Sequence, residues 1–187
     1  MAGEFIGEPW FSFNGYQSSH YGDEAALRWM VEGPPSEAWK SGVPYPIVNL
    51  EPCYEAHLDM SDPADPNRAR FDAHAVRRAS YWGLLSSPMA GVTYGCHGVW
   101  GWELERQLPM NHEKTGVAGP WHEAMNMPGS LDMRHLKETL AGIPWWTLRP
   151  AQDMLAVQPG RASVRRFIAA ARDADGGLAL LYLPEGG

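Results

Sequence analysis

Three short apolar segments in this 187-residue chain each run directly into residues that could do chemistry. Trp10–Tyr16 leads into Gln17-Ser18-Ser19-His20, Pro46–Leu50 into Glu51-Pro52-Cys53-Tyr54-Glu55, and Gly91–Tyr94 into Gly95-Cys96-His97 with Trp100 close behind. Gln17, Ser18 and His20, then Glu51, Tyr54 and Glu55, then Tyr94, His97 and Trp100 combine carboxylates, polar donors and flat aromatic faces. Asn49, on the second apolar segment itself, joins them. Glu51 stands out because a carboxylate placed at the end of an apolar strand is partly desolvated yet within reach of a ligand. Hydrolysis of a glycosidic bond needs two carboxyl groups flanking the bond, one as acid and one as nucleophile or base. Glu51 suits the nucleophile or base, or else a structural role tying loops together. Glu55 suits a structural bond to a backbone amide or to Arg77 better than catalysis. Tyr94 and Trp100 suit sugar platforms, since the apolar face of a sugar ring packs on an aromatic ring. For Trp121, Trp145 and Trp146 a core position is preferred.

Other chemistries have less behind them. No G-x-S-x-G elbow accompanies Ser18, Ser19 and His20, which leaves an esterase mechanism without support. The spacing of His20, His57, His97 and His112 matches no zinc motif, so neither a metal nor another cofactor is expected. A net charge of −7 offers no basic stripe for nucleic acid. No run of eighteen apolar residues is present to span a membrane. Cys53 and Cys96 are read as free thiols rather than a bridge.

The elements that must position these residues alternate. The Trp10–Tyr16 strand is followed by a helix that Asp23 caps, with Ala26, Leu27 and Met30 on one face. Gly33-Pro34-Pro35 ends it, and Ser36 can cap a short helical turn around Trp39. Pro46–Leu50 reads as a strand buried on both faces. After an Asp- and Pro-rich loop, residues 68–86 form the clearest helix, stopped by Pro88. The Gly91–Tyr94 strand opens a long aromatic loop over 98–129, of the kind that usually carries function. Ser130 can cap a helix through Ala141. Strands at 164–171 and 177–183, joined by the turn Asp173–Gly177, then form a hairpin.

Strand–helix alternation predicts an α/β fold with parallel strands, about three βα units of a (β/α)8 barrel, followed by the start of a β domain. The expected organisation is a leader over 1–9, a partial barrel over 10–150 and the β module over 151–187. Met1–Phe5 lacks the basic-then-apolar pattern of a secretory signal.

The segments Pro46–Glu55, Val76-Arg77 with Tyr81-Trp82, and Gly91–Trp100 resemble the apiosidase-like glycoside hydrolases. Gln17–His20, Pro128–Ser130 and Trp145–Pro150 resemble that family's flanking elements. Residues 164–184 are similar to the opening of the β domain that follows its barrel. The resemblance implies a (β/α)8 fold, hydrolysis of glycosidic bonds in plant-type or other polysaccharides, and Glu51 as the catalytic glutamate of strand seven. It also implies a second carboxylate, an aspartate, on an earlier strand that has no counterpart here. Members of the family are generally exported. An open part of a barrel exposes a strand edge, so self-association into a homo-oligomer is expected. The alternative is a non-catalytic fragment that at most binds carbohydrate.

Overall fold

A computed structural model of the chain describes residues 3–42, 45–87 and 90–186. Three parallel strands, β1 (Asn14–Gln17), β2 (Ile47–Glu51) and β3 (Gly91–Val92), form one sheet in that order. Helices α1 (Glu24–Glu32), α2 (Pro34–Lys40) and α3 (Ala73–Ser86) provide the crossovers. A short helix α4 (Trp121–Ala124) and the longer α5 (Pro128–Ala141) follow. A second, antiparallel sheet holds β4 (Arg149–Pro150), β5 (Ala169–Arg172) and β6 (Ala179–Tyr182).

Local chemistry explains the helix starts. Asp23 and Asp72 lie outside α1 and α3 in extended conformation, and their carboxylates accept from the backbone N–H of Ala26 and Ala75. Such a cap satisfies one of the four amides that every helix start leaves unpaired. The helix expected over 68–86 begins at residue 73, where Asp72 caps it. Pro88 lies outside the described residues. The first strand is also shorter than expected: Trp10 and Phe13 lie outside it and are exposed.

The sheet has one covered face. Ile47 packs on Leu84 of α3 and Leu136 of α5, with Tyr16 and Val92 against the same cluster. On the opposite face Gly15 pairs with Val48, and among the described residues Leu50 (48% exposed) and the adjoining Phe13 (44%) stay largely uncovered. The strand expected to be buried on both faces is thus buried on one.

The hairpin of β5 and β6 packs on the far side of α3. Trp82 donates from its indole N–H to the Phe167 carbonyl at 2.9 Å, and the Tyr81 and Tyr182 rings stack at 4.7 Å. Val164, Phe167, Ala169 and Ala171 join Leu27, Met30, Val76 and Trp82 in one continuous core. Residues 164–166 form a 3-10 turn rather than strand, and the turn over 173–177 is closed by Leu178 N–H on the Asp173 carboxylate. No described helix is long and apolar enough to cross a membrane.

Candidate functional site

Ends of the parallel strands converge on one side of the sheet. Between Tyr16 and Gln17 the register slips, so that Tyr16 pairs with Asn49 while Gln17 pairs with Glu51. Leu50 is the extra residue, and this bulge re-aims the side chains beyond it. Gly15 and Gln17 share a face of β1, so their partners Val48 and Glu51 share a face of β2 although they are three residues apart. Without the bulge, Glu51 would follow Ile47 and Asn49 onto the helix-packed side. With it, Glu51 stands at the open side, where Gln17 donates to its carboxylate at 2.5 Å.

A cleft of about 290 Å³ opens there, lined by His20, Glu51, Tyr54, His57, Trp100, His112 and Thr115. His20 Nδ1 lies 3.7 Å from the Glu51 carboxylate. Its ring meets Tyr54 edge-on at 4.6 Å and lies 4.1 Å from the ring of His57, which in turn lies 5.3 Å from His97. Burial lowers the pKa of all three histidines, His20 to about 3 and His97 to about 4, with the neighbouring imidazoles adding to the effect for both. Glu51 favours protonation of His20, but across 3.7 Å it does not offset burial. The column is therefore neutral at pH 7.

Hydrogen bonds fix the tautomers of His57 and His97. His57 Nδ1 faces the Leu58 carbonyl at 2.6 Å, which can only accept, so Nδ1 carries the proton. Thr115 donates its hydroxyl to the His112 carbonyl at 2.6 Å and accepts from His97 Nε2 at 3.0 Å. Arg70 approaches the other nitrogen of His97 and is itself held by the carbonyls of Ala56 and Val117. His20 Nε2 is buried without a partner. Ser19 and Ala56, both at positive φ (69° and 65°), sit beside His20 and Glu55. Non-glycine residues in that region are strained, and strain of this kind clusters at functional loops.

The expected residues divide into two groups. His20, Glu51, Tyr54 and Trp100 line the cleft, and Gln17 holds Glu51. Ser18, Asn49, Glu55 and His97 are buried and bonded to protein groups behind it. Asn49 donates to the Ser18 hydroxyl at 2.9 Å and accepts from the Glu51 N–H at 3.2 Å. Glu55 accepts from the Tyr94 hydroxyl at 2.7 Å and from the Gly129 N–H at 2.9 and 3.1 Å. It thus serves α5 as a cap supplied from 74 residues away, where Met127 has no side-chain cap to offer. Arg77 pairs with Asp132 instead. Tyr94, half-buried on Glu55, does not reach the cleft. Asp59 accepts from Gly22, Ser61 N–H and the Ser61 hydroxyl. Glu51 is consequently the one carboxylate among the lining residues.

His57 and His112, weighed in the sequence only as metal ligands, line the cleft, and so does Thr115. Nothing local in the sequence marks Thr115 or Arg70. Among the described residues no three His, Cys, Asp or Glu side chains converge as a metal site. Cys53 and Cys96 are free and buried, with burial pushing their thiols up to about 12 and about 11.

The apiosidase-like catalytic domain matches residues 1–147. No curated protein matches the chain. Among solved structures, a glycoside hydrolase family 5 protein from Bacteroides vulgatus is similar over 89% of this chain and 37% of its own, at 22% identity and a TM-score of 0.70. A second, described as a glycoside hydrolase, is similar over 89% of this chain and 38% of its own, at 25% identity and the same TM-score. The chain spans less than two-fifths of the length of either. It belongs to the apiosidase-like family of glycoside hydrolases.

Proposed function

We propose that this member of the apiosidase-like family carries one half of a glycosidase site, with Glu51 as one of the two carboxyl groups that cleave a polysaccharide glycosidic bond. One observation carries the reading: the bulge at Leu50 turns Glu51 into a cleft walled by Tyr54 and Trp100. Gln17 orients the carboxylate, and a neutral His20 beside it can exchange a hydrogen bond with a sugar hydroxyl without adding charge. Glu55 and Asp59 are both tied to other groups, so the second carboxyl group is expected from outside the cleft walls of this chain. Three βα units of a (β/α)8 barrel over 10–150, followed by a β module over 151–187, fit this division of the site.

Replacing Glu51 by Gln keeps the shape and removes the charge. Hydrolysis of aryl glycosides and plant polysaccharides is expected to disappear, while binding persists. Equal turnover by both proteins would end the assignment. A second reading, carbohydrate binding without hydrolysis, is favoured by the single carboxylate in the cleft. It predicts no turnover by either protein and weaker binding on Trp100→Ala.

Self-association through the open strand and face is part of the proposal. Phe13 and Leu50 form an apolar edge that a second copy would cover. Light scattering is expected to give a mass above 20.8 kDa that falls to the monomer on Phe13→Lys. A well-folded wild-type monomer at high concentration would rule it out.

A further inference from the structure

The loop that carries Trp100 into the cleft continues into a second aromatic feature with no part in the site above. Trp102 and Trp121 stack face to face, centroids 4.4 Å apart and planes within 7°. Trp102 is 58% exposed, so one face of its indole rests on Trp121 and the other is open. The other tryptophan ring contacts among the described residues are tilted or edge-on.

Backbone bonds build the pair. Trp102 N–H donates to the Val99 carbonyl at 3.0 Å, Glu103 N–H to Gly98 at 3.0 Å and Trp121 N–H to Glu103 at 2.8 Å. The last bond ties the start of α4 to the loop and holds Trp121 behind Trp102. Trp102 itself adopts φ 52°, a left-handed conformation that is an outlier for a bulky side chain. A residue free to relax would leave it. Here the conformation projects an indole into solvent and is held there by its neighbours, and strain of this kind clusters at functional sites.

We propose that the Trp102–Trp121 stack is a second carbohydrate-binding surface, taking the apolar face of a pyranose unit of the polysaccharide whose bond lies in the cleft. This rests on the glycosidase reading. Continuity supports it. Trp100 and Trp102 are two residues apart, so their Cα atoms lie within about 7 Å, and a polymer chain leaving the first can reach the second. The chemistry agrees: a rigid indole face offers contact area with little ordering cost, and sugar rings carry the C–H faces that match it.

The test compares native-gel retardation of the full chain in hydroxyethyl cellulose, arabinoxylan and galactomannan. Wild type, Glu51→Gln, Trp102→Ala and Trp102→Gly are run together. Glycine adopts the left-handed backbone freely, so the last variant removes the platform without backbone strain. Trp146→Ala is the control, an exposed indole whose neighbour Trp145 lies edge-on at 78°. We expect wild type, Glu51→Gln and Trp146→Ala to be retarded by at least one polymer. Both Trp102 variants should bind about tenfold more weakly, a loss of the size expected for one stacked contact. Equal retardation of the Trp102 variants, or none of wild type in any gel, overturns the proposal. A mass that drops to monomer on Trp102→Ala also overturns it, since a second copy would then be what covers the stack. Aryl-glycoside turnover by wild type against Glu51→Gln is read separately, so the Glu51 assignment can fail or stand independently.

Discussion

Glu51 and Glu55 stand four residues apart on one strand exit, and replacing each by Gln should give opposite phenotypes. Glu55 is buried, and its carboxylate receives the Tyr94 hydroxyl and the Gly129 N–H. In Glu55→Gln the remaining oxygen can still accept both, but the bonds lose their charge assistance. The new NH₂ then sits where the other oxygen faced Gly129, donor against donor. Hydrogen bonds to charged groups contribute about 1.5–3 kcal/mol and neutral ones about 1 kcal/mol. Two weakened bonds and one mismatched contact therefore cost about 2–3 kcal/mol. Glu55 also supplies the negative charge at the start of α5, which the helix dipole favours. Glu51 is 30% exposed and its one close hydrogen bond comes from Gln17, which Gln can also accept. Its replacement should fall within about 0.5 kcal/mol of wild type, as surface changes usually do. Urea unfolding followed by far-UV circular dichroism measures both, with the m-value as a check that the same surface is exposed. For a chain of this size the Glu55 loss corresponds to a melting point lowered by roughly 4–12 °C. Wild-type stability in Glu55→Gln, or an equal loss in Glu51→Gln, would refute the division into a cap and a site carboxylate.

Further expectations concern the walls of the cleft. A Cβ added at Gly95 would land on the ring of Tyr54, while Glu55 N–H holds the Gly95 carbonyl at 3.0 Å. Gly95→Ala should therefore displace Tyr54 from its edge-on contact with His20. The expected cost is about 1–3 kcal/mol in urea, as for other overpacked sites, with a changed near-UV spectrum; a wild-type spectrum would show that the strand exit can yield. The histidine column predicts acid sensitivity. Each of His20, His57 and His97 has a folded pKa below its unfolded value near 6.5, so the unfolded chain takes up protons first. Their contribution is complete above pH 6.5 and is lost as pH falls, for His20 down to about 3. His20 alone gives a slope of about 1.4 kcal/mol per pH unit in that window. Melting temperatures level from pH 8 to 6.5 and falling from 6.5 to 5 are expected, and a flat profile to pH 5 would contradict the neutral column.

Much of the architecture was legible because it rests on local chemistry. Asp23 caps α1, β2 reads as an apolar run ended by Pro52, and the turn at 173–177 closes on Asp173. The boundaries that slipped did so where a later cap or a tertiary contact intervened. Asp72 starts α3 five residues later than periodicity suggests. Residues 164–166 turn instead of extending, because Val164 and Phe167 are drawn into the core beside Trp82. Burial of β2 on one face only could not be read from its composition, since an apolar run does not say what lies on either side.

The site was legible by residue type and much less by role. Alternation along β2 places Glu51 with Ile47 and Asn49, on the side packed against α3 and α5. Only the slip at Leu50 brings it to the cleft, and a one-residue slip leaves no mark in a five-residue strand. Glu55, four residues on, has the same charge and an equally plausible position, yet its partner is an amide 74 residues away that no local pattern identifies. The histidines extend the same point. His20, His57 and His97 have no motif spacing; packing brings their rings together, and burial lowers the pKa of each. What separates the proposed catalytic carboxylate from the structural one is the set of groups each meets. Glu55 accepts from the buried Gly129 N–H and from the Tyr94 hydroxyl, whereas Glu51 meets, among the described residues, Gln17 and a neutral imidazole. A sugar hydroxyl that touches both His20 Nδ1 and the Glu51 carboxylate, which lie 3.7 Å apart, would find a hydrogen-bonding partner in each.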